Sequence, residues 1–288
     1  MKVIPFTIPV PKNKSIIVQE DKLPYFYNFL HRHQEIQLTW IIKGEGTLIA
    51  GNYTQHFQEG EVYIIGANQP HIFKSDPTYF DKRKKLSIHS MTIFFSEKGE
   101  LLGLFQLPEM KKVQKWVSLS TNGYKLTAEY NAVIIQLIKL VHQSEGAEQV
   151  QHFVHLLHQL SSTKQLQPLS TTLNEQLFTE AEGLRLNNIY QYTLEHFDEP
   201  IALQQVANIA HFTVPAFCRY FKKRTRKTYI SFLNEVRINE ACKLLLNKKQ
   251  EGIAGIAYSC GFSNVSSFNR TFKQLTGKSP REYLKQLG

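Results

Sequence analysis

The period of hydrophobic and polar positions changes along this chain. Residues 1 to about 110 follow a strand-like pattern. Ile36 to Ile42 is an apolar, β-rich run (Ile-Gln-Leu-Thr-Trp-Ile-Ile), broken by Lys43-Gly44-Glu45-Gly46. Thr47 to Ala50 resumes it, Gly51-Asn52 turns, and Tyr53 to Phe57 follows. Gln58-Glu59-Gly60-Glu61 turns again before Val62 to Ile65. Asn68-Gln69-Pro70 marks a further turn, and Met91 to Phe95 a further strand. Short strands at roughly 8–12-residue spacing with glycine-bearing turns predict a sandwich or barrel.

From Lys125 the spacing becomes helical. Tyr130, Val133, Ile134, Leu137, Ile138 and Val141 form one stripe, and Phe153, Leu156, Leu157 and Leu160 a second, with Gly146 between them. This pattern predicts a helical hairpin. Two apolar stripes beside a barrel that needs one face covered make the hairpin a candidate dimer contact; packing on the barrel itself is the alternative. Ser161 to Glu182 is polar, weakly periodic and contains Pro168, so it reads as a linker. From Leu184 to the end the pattern is helical.

That last segment contains an internal repeat. Phe221-Lys-Lys-Arg-Thr-Arg-Lys-Thr-Tyr-Ile-Ser-Phe-Leu233 matches Phe272-Lys-Gln-Leu-Thr-Gly-Lys-Ser-Pro-Arg-Glu-Tyr-Leu284 at an offset of 51. Upstream, Val206-Ala207 parallels Ile256-Ala257, with one extra residue in the second turn. Two copies of one supersecondary unit say more than either alone. Each reads as helix, tight turn, helix. In the first copy Leu203 to Ala210 is followed by a turn at His211-Phe212, and Thr213 is placed to cap a helix with Pro215 in its first turn. In the second, Ile253 to Cys260 is followed by Gly261, with Ser263 placed as cap. Phe217/Phe221 and Phe268/Phe272, at i and i+4, face the core. The opposite faces carry Pro215, Ala216, Arg219 and Lys222, and then Val265, Ser266, Arg270 and Lys273. Small or hydroxylic residues allow close approach to a groove, and an arginine at matched positions can fork onto guanine or a phosphate. The run Lys222-Lys223-Arg224-Thr225-Arg226-Lys227 follows. Thr228 to Asn247 is expected to be one helix joining the copies.

Charge supports the same partner. Residues 184–288 hold 16 Lys+Arg and 7 Asp+Glu, a net of 16 − 7 = +9, against +10 for the whole 288-residue chain. Such asymmetry points to a polyanion. Apolar residues make up 42% of the chain, enough for packed cores rather than disorder. The three cysteines, Cys218, Cys242 and Cys260, form no CxxC pair, so neither a disulfide framework nor a zinc finger is indicated. Met1 to Val10 lacks a basic segment followed by an apolar run, and no apolar run approaches the ~18 residues of a membrane helix. A cytoplasmic protein without membrane association is expected.

The repeated segment resembles the AraC/XylS type of bacterial regulator over roughly residues 186–288. The resemblance is carried by Ala207…Phe221-Lys222, by Arg237-Ile-Asn-Glu-Ala241-Cys-Lys-Leu-Leu245, by Ile256-Ala-Tyr-Ser-Cys-Gly261-Phe262-Ser263, and by Phe268-Asn-Arg-Thr-Phe272-Lys…Gly277-Lys-Ser-Pro280-Arg-Glu-Tyr283. It implies a domain of seven helices with two DNA-reading helices. By position, the readers would be Pro215, Cys218 and Arg219, then Val265, Ser266, Ser267 and Arg270. Pro215 and Ala216 depart from the more polar readers common in the family. The β region resembles a cupin barrel: His31-Arg-His33-Gln-Glu-Ile-Gln37-Leu-Thr-Trp-Ile-Ile-Lys-Gly44 is similar to the first cupin motif, and Gly60-Glu-Val-Tyr-Ile-Ile-Gly-Ala-Asn-Gln-Pro70-His71 to the second. Some cupins hold a metal through two histidines, a glutamate and a third histidine. His31, His33 and His71 align with the histidines here, but Gln37 stands at the glutamate, and a neutral amide is a poor ligand for a divalent ion.

The expected fold class is α+β. A cupin-like barrel over 1–120 is the candidate ligand-binding part, a helical hairpin over 121–162 the candidate dimer contact, 163–183 a linker, and 184–288 an all-α domain of two helix-turn-helix units. The expected function is a non-enzymatic, sequence-specific transcription regulator. Its partners would be double-stranded DNA, a small-molecule effector such as a carbohydrate, a second copy of the chain and RNA polymerase. DNA contacts are assigned to Pro215, Ala216, Cys218, Arg219, Lys222, Lys223, Val265, Ser266, Ser267, Arg270 and Lys273. The candidate ligand lining is His31, His33, Gln37, Trp40 and His71, with no metal and no cofactor. One alternative is a metal-dependent cupin enzyme fused to a DNA-binding domain, with Glu35 as a spare carboxylate. Another is a barrel that serves only dimerisation.

Overall fold

The computed structural model describes residues 6–7, 10, 14–163, 166–170, 178–247 and 252–285. They form two compact units: Met1–Tyr53 with Phe57–Gly183, and Leu184–Gly288 with Thr54–His56.

The first unit is built from β1 (Ile16–Leu23), β2 (Ile36–Lys43), β3 (Gly46–Ala50), β4 (Tyr53–Phe57), β5 (Val62–Ile65), β6 (His71–Ser75), β7 (Ile88–Phe95), α1 (Leu102–Phe105), α2 (Lys111–Leu119), β8 (Tyr124–Leu126), α3 (Ala128–Gln143), α4 (Gly146–Ser162) and β9 (Leu166–Pro168). Six strands make one sheet in the order β1-β7-β2-β5-β8-β9, and three make a second in the order β4-β3-β6. The β2–β5 and β2–β7 pairings are antiparallel, with Gln37 opposite Ile65 and Phe94.

Side chains alternate across a strand, and both faces of the larger sheet are covered. On β2, Ile36, Leu38, Trp40 and Ile42 belong to one hydrophobic cluster, while Ile41 belongs to another. All four residues of β5 are buried for the same reason. One face packs inward with Leu48, Phe57 and Phe73. The other meets the helices. Ile134, Leu137, Ile138 and Val141 of α3 and Phe153, Leu156, Leu157 and Leu160 of α4 share a core with Ile36, Leu38, Ile93 and Phe95. The Phe95 and Phe153 rings meet edge to face at 5.0 Å. The stripes expected at a dimer contact therefore close over the chain's own sheet, because that sheet has an apolar outer face to bury. Of their members Val133 remains exposed, at 48%.

Other elements also differ from expectation. β1 and β6 are additional strands; β1 runs into Gln19-Glu20-Asp21-Lys22, an edge-strand composition that hides its period. Residues 102–105 and 111–119, expected within the barrel, are helical. The segment expected as a linker contributes β9, paired with β8; its residues 164–165 and 171–177 lie outside the described residues.

The second unit contains α5 (Glu180–His196, from Leu184 onward), α6 (Leu203–Ile209), α7 (Val214–Thr225), α8 (Tyr229–Asn247), α9 (Ile253–Ser259), α10 (Val265–Thr276) and α11 (Pro280–Lys285). Val206, Ala207, Phe217 and Phe221 are buried in the first copy, and Ile256, Ala257, Phe268 and Phe272 in the second. The repeat extends to the turns. Thr225 Oγ1 lies 2.8 Å from the Phe221 carbonyl oxygen and 3.1 Å from that of Lys227; Thr276 Oγ1 lies 2.8 Å from Phe272 O and 2.9 Å from Lys278 O. Arg226 (φ 61°) and Gly277 (φ 78°) end α7 and α10 in the same left-handed conformation.

Candidate nucleic-acid interface and the barrel cluster

Each helix-turn-helix turn needs a left-handed residue to reverse the chain. His211 (φ 55°) supplies it in the first copy and Gly261 (φ 80°) in the second. The second is crowded. A Cβ on Gly261 would meet Phe197 O at 2.5 Å and Arg237 Nη2 at 2.9 Å. Arg237, on α8, donates from Nε to Phe197 O at 2.7 Å and from Nη2 to Glu199 O at 2.8 Å. It thus satisfies carbonyls beyond the end of α5.

The second helix of each copy starts at a defined cap. Thr213 occupies the cap of α7, but its side chain makes no capping bond. For α10 the cap is Asn264 rather than Ser263: its Oδ1 accepts from Ser267 N at 2.7 Å. The helix begins at Val265, which puts Ser263 one position too early to cap it.

Phe217 and Phe221, and Phe268, Thr271 and Phe272, turn inward. Pro215, Cys218, Arg219, Lys222 and Lys223 are exposed on α7, with Ala216 half-buried. On α10, Ser266, Arg270 and Lys273 are exposed, with Val265 and Ser267 half-buried. Among the described residues no ion pair engages Arg219 or Arg270. The basic run is less open than the sequence suggests. Thr225 is buried, Arg224 is half-buried, and Lys227 pairs with Glu235. That leaves Lys222, Lys223 and Arg226 exposed. At the offset of 51, Cys218 corresponds to Asn269, which is exposed beside Arg270 and is not among the residues assigned from the sequence. Asparagine is the side chain that pairs bidentately with adenine. Once Cys218 was named, the repeat itself could have found it.

The barrel residues sort differently. His33, Gln37 and His71 are buried, and His31 lies beside them, its ring centroid 4.3 Å from that of His71. Trp40 is not with them: period-two alternation puts it on the helix-covered face, where the Lys139 Nζ lies 5.2 Å above its ring. Each imidazole donates from Nδ1 to a backbone carbonyl: His31 to Phe29 (2.9 Å), His33 to Glu35 (2.8 Å) and His71 to Gln69 (2.9 Å). This fixes the tautomer, so every Nε2 of a neutral ring presents a lone pair. The Gln37 amide lies between two of them, Oε1 being 2.8 Å from His33 Nε2 and 3.1 Å from His71 Nε2, while Nε2 is 2.7 Å from Thr39 Oγ1. Exchanging the near-isosteric ends of the amide gives every contact a donor and an acceptor. The NH₂ then donates to both imidazoles, and the Thr39 hydroxyl, backed by Thr92 at 3.0 Å, donates to the carbonyl. Burial holds all three histidines below their usual pKa, His31 at about 4.

The three histidines bring their ring nitrogens within 4.8 Å of one another, as a metal site would require. The fourth group does not fit a resident metal. Gln37 brings no negative charge, and its amide fills the space between two of the rings with hydrogen bonds of its own. The cavities described in this unit are lined by other residues.

Comparison with known proteins agrees with the geometry of the second unit. Residues 206–286 match the helix-turn-helix domain family. The uncharacterized HTH-type transcriptional regulator YobQ of Bacillus subtilis is 32% identical over 92 residues, which is 32% of this chain and 38% of YobQ. This chain therefore aligns with well under half the length of that relative. The uncharacterized HTH-type transcriptional regulator YdeC of the same organism is 23% identical over 262 residues, 89% of this chain and 86% of YdeC. Among solved structures, ToxT from Vibrio cholerae O395 is 14% identical, with a TM-score of 0.36, covering 95% of this chain and 98% of that one. The C-terminal unit is a DNA-binding helix-turn-helix domain of the AraC type. No described helix is long and apolar enough to cross a membrane.

Proposed function

We propose that the chain is a cytoplasmic, non-enzymatic transcription regulator that reads duplex DNA with α7 and α10 and senses a small molecule through its first unit. The observation that carries the reading is the duplication: two helices with the same buried phenylalanine pair and the same exposed arginine, Arg219 and Arg270, within a segment of net charge +9. Base contacts are assigned to Cys218 and Arg219 on α7 and to Ser266, Ser267, Asn269 and Arg270 on α10, with Pro215, Ala216 and Val265 allowing close approach. Lys222, Lys223 and Lys273 would neutralise phosphates. Joining them is α8, 19 residues long, or roughly 28 Å at ~1.5 Å per residue. That is close to the ~34 Å between successive major-groove faces on one side of B-DNA. A homodimer and contact with RNA polymerase complete the proposal.

The test is selection of bound duplexes from a random pool by the full chain. Enrichment of one sequence with two conserved blocks supports the reading. A pool that stays random through successive rounds overturns sequence-specific binding.

A further inference from the structure

The first unit contains a cavity of about 480 Å³ outside the barrel interior. It opens where the start of β2, the turn before β6, the end of β7 and the C-terminus of α2 converge. Ile36, Ala67 and Val117 give it an apolar side. Gln34, Asn68, Ser118 and Thr121 give it a polar side, with Glu97 and Lys98 at the edge. A second hollow of about 230 Å³ shares Gln34, Ser96 and Lys98 with it. The volume falls in the ~300–1,000 Å³ range of small-molecule sites.

Two observations single this cavity out. The first is unmet hydrogen bonding. Thr121 Oγ1 is buried with no partner, as is Oδ1 of the adjacent Asn122. A buried hydroxyl without a partner is costly, and Thr121 is among the residues lining the cavity, where a small side-chain movement would let an occupant satisfy it. The side chains of Gln34 and Asn68 are exposed at the cavity and make no protein hydrogen bond among the described residues, so their amides are open to a ligand. The second observation is a preformed wall. Asn68 takes the left-handed conformation (φ 57°) that asparagine tolerates in turns, and its N–H donates to His33 O at 2.8 Å. The preceding loop is pressed against the turn that carries Thr121: a Cβ on Gly66 would meet Thr121 O at 2.5 Å and Ser120 O at 2.6 Å.

We propose that this rim cleft, rather than the histidine-lined barrel interior, is the effector site, and that it takes an uncharged polyhydroxylated molecule. The inference rests on the reading of the first unit as a small-molecule sensor and assigns where the sensing occurs. Amide and hydroxyl groups offer both donors and acceptors, as a polyol requires. Glu97 and Lys98 stand next to each other, so the charged edge favours neither an anion nor a cation. Among the barrel histidines, by contrast, His33 and His71 already spend both ring nitrogens on Gln37 and on backbone carbonyls, and His31 gives its Nδ1 to the Phe29 carbonyl.

The test uses the full chain and a panel of uncharged mono- and disaccharides and polyols, with gluconate and glucose 6-phosphate as charged members. Trp116 adjoins Val117 in the cleft wall, so tryptophan fluorescence in a Trp40→Phe background reads occupancy, and thermal stability reads it independently. The expected result is saturable binding of at least one uncharged member. It should be weakened ten-fold or more in Thr121→Val and in Gln34→Ala, and unchanged in Thr39→Val, which alters the barrel network. Binding lost in Thr39→Val and kept in both cleft variants overturns the site while leaving the sensor reading standing. Binding of the charged members alone overturns the ligand class. No binding by any member overturns the site, its ligand class and the sensor reading together.

Discussion

Gln37 shows how one substitution of chemical type redirects a cluster. A carboxylate at this position would complete a set of metal-binding groups with three histidines. The amide instead joins two imidazoles in a buried hydrogen-bonded chain that continues through Thr39 to Thr92. The chain works only with neutral rings. In the unfolded chain the histidines take up protons near pH 6.5; in the fold, burial holds them lower, His31 at about 4. The unfolded state therefore binds more protons in that window, and stability falls as pH drops from about 6.5 toward 4. Denaturant unfolding of the full chain, followed by signals from the first unit, should show a lower midpoint at pH 5 than at pH 7.5, with the loss reduced in His71→Gln. A midpoint that does not move would remove this account of the cluster. The residues proposed to read DNA divide in the same way by chemistry. Arg270→Ala and Asn269→Ala should each weaken specific binding by ~1–3 kcal/mol and relax preference at one or two base pairs, whereas Lys273→Ala should weaken all sequences alike. Competition binding against a set of single-base variants measures both. Equal loss on every sequence from all three changes would show that base and phosphate contacts are misassigned.

Turns and caps decide whether each helix-turn-helix can form. His211 and Gly261 hold the same left-handed position, and at Gly261 a backbone carbonyl and the Arg237 guanidinium stand against the place a Cβ would take. Gly261→Ala should therefore destabilise the second unit by more than the ~1 kcal/mol of the conformational term alone. Asn264→Ala should cost about 1 kcal/mol through loss of the α10 cap. Urea denaturation read by circular dichroism gives both values, and the reverse order of the two would contradict the packing argument. Elements with strong periods were legible in the sequence: β2 through β5, the hairpin helices, and both helix-turn-helix copies. What escaped had short or mixed signals. β8 and β9 have three residues each and take their conformation from the sheet they join. β1 hides behind a polar half. The hairpin was legible as two helices, but which surface its stripes cover was not, because an apolar stripe has the same pattern on a neighbouring chain or on its own sheet. The barrel lining erred at Trp40 for a simpler reason: strand alternation puts it three residues from Gln37, on the opposite face. The rim cleft is assembled from four separated segments, so no local spacing announces it.

At the scale of the whole molecule, charge and repetition point the same way. Nearly all of the net +10 lies in residues 184–288, where the duplicated helices are found. A polyanion is the partner that such an asymmetry suits, and affinity should fall steeply with salt as condensed counterions are released. The repeat adds geometry, since two matched reading helices joined by α8 would address two major-groove segments on one face of the duplex. Hydroxyl-radical footprinting of the full chain on a selected duplex tests this most directly. The account predicts two protected segments centred roughly 10 base pairs apart on the same face, with the segment facing α10 lost first in Arg270→Ala. A single protected segment unaffected by Arg270→Ala, or protection that does not depend on the duplex sequence, would contradict it.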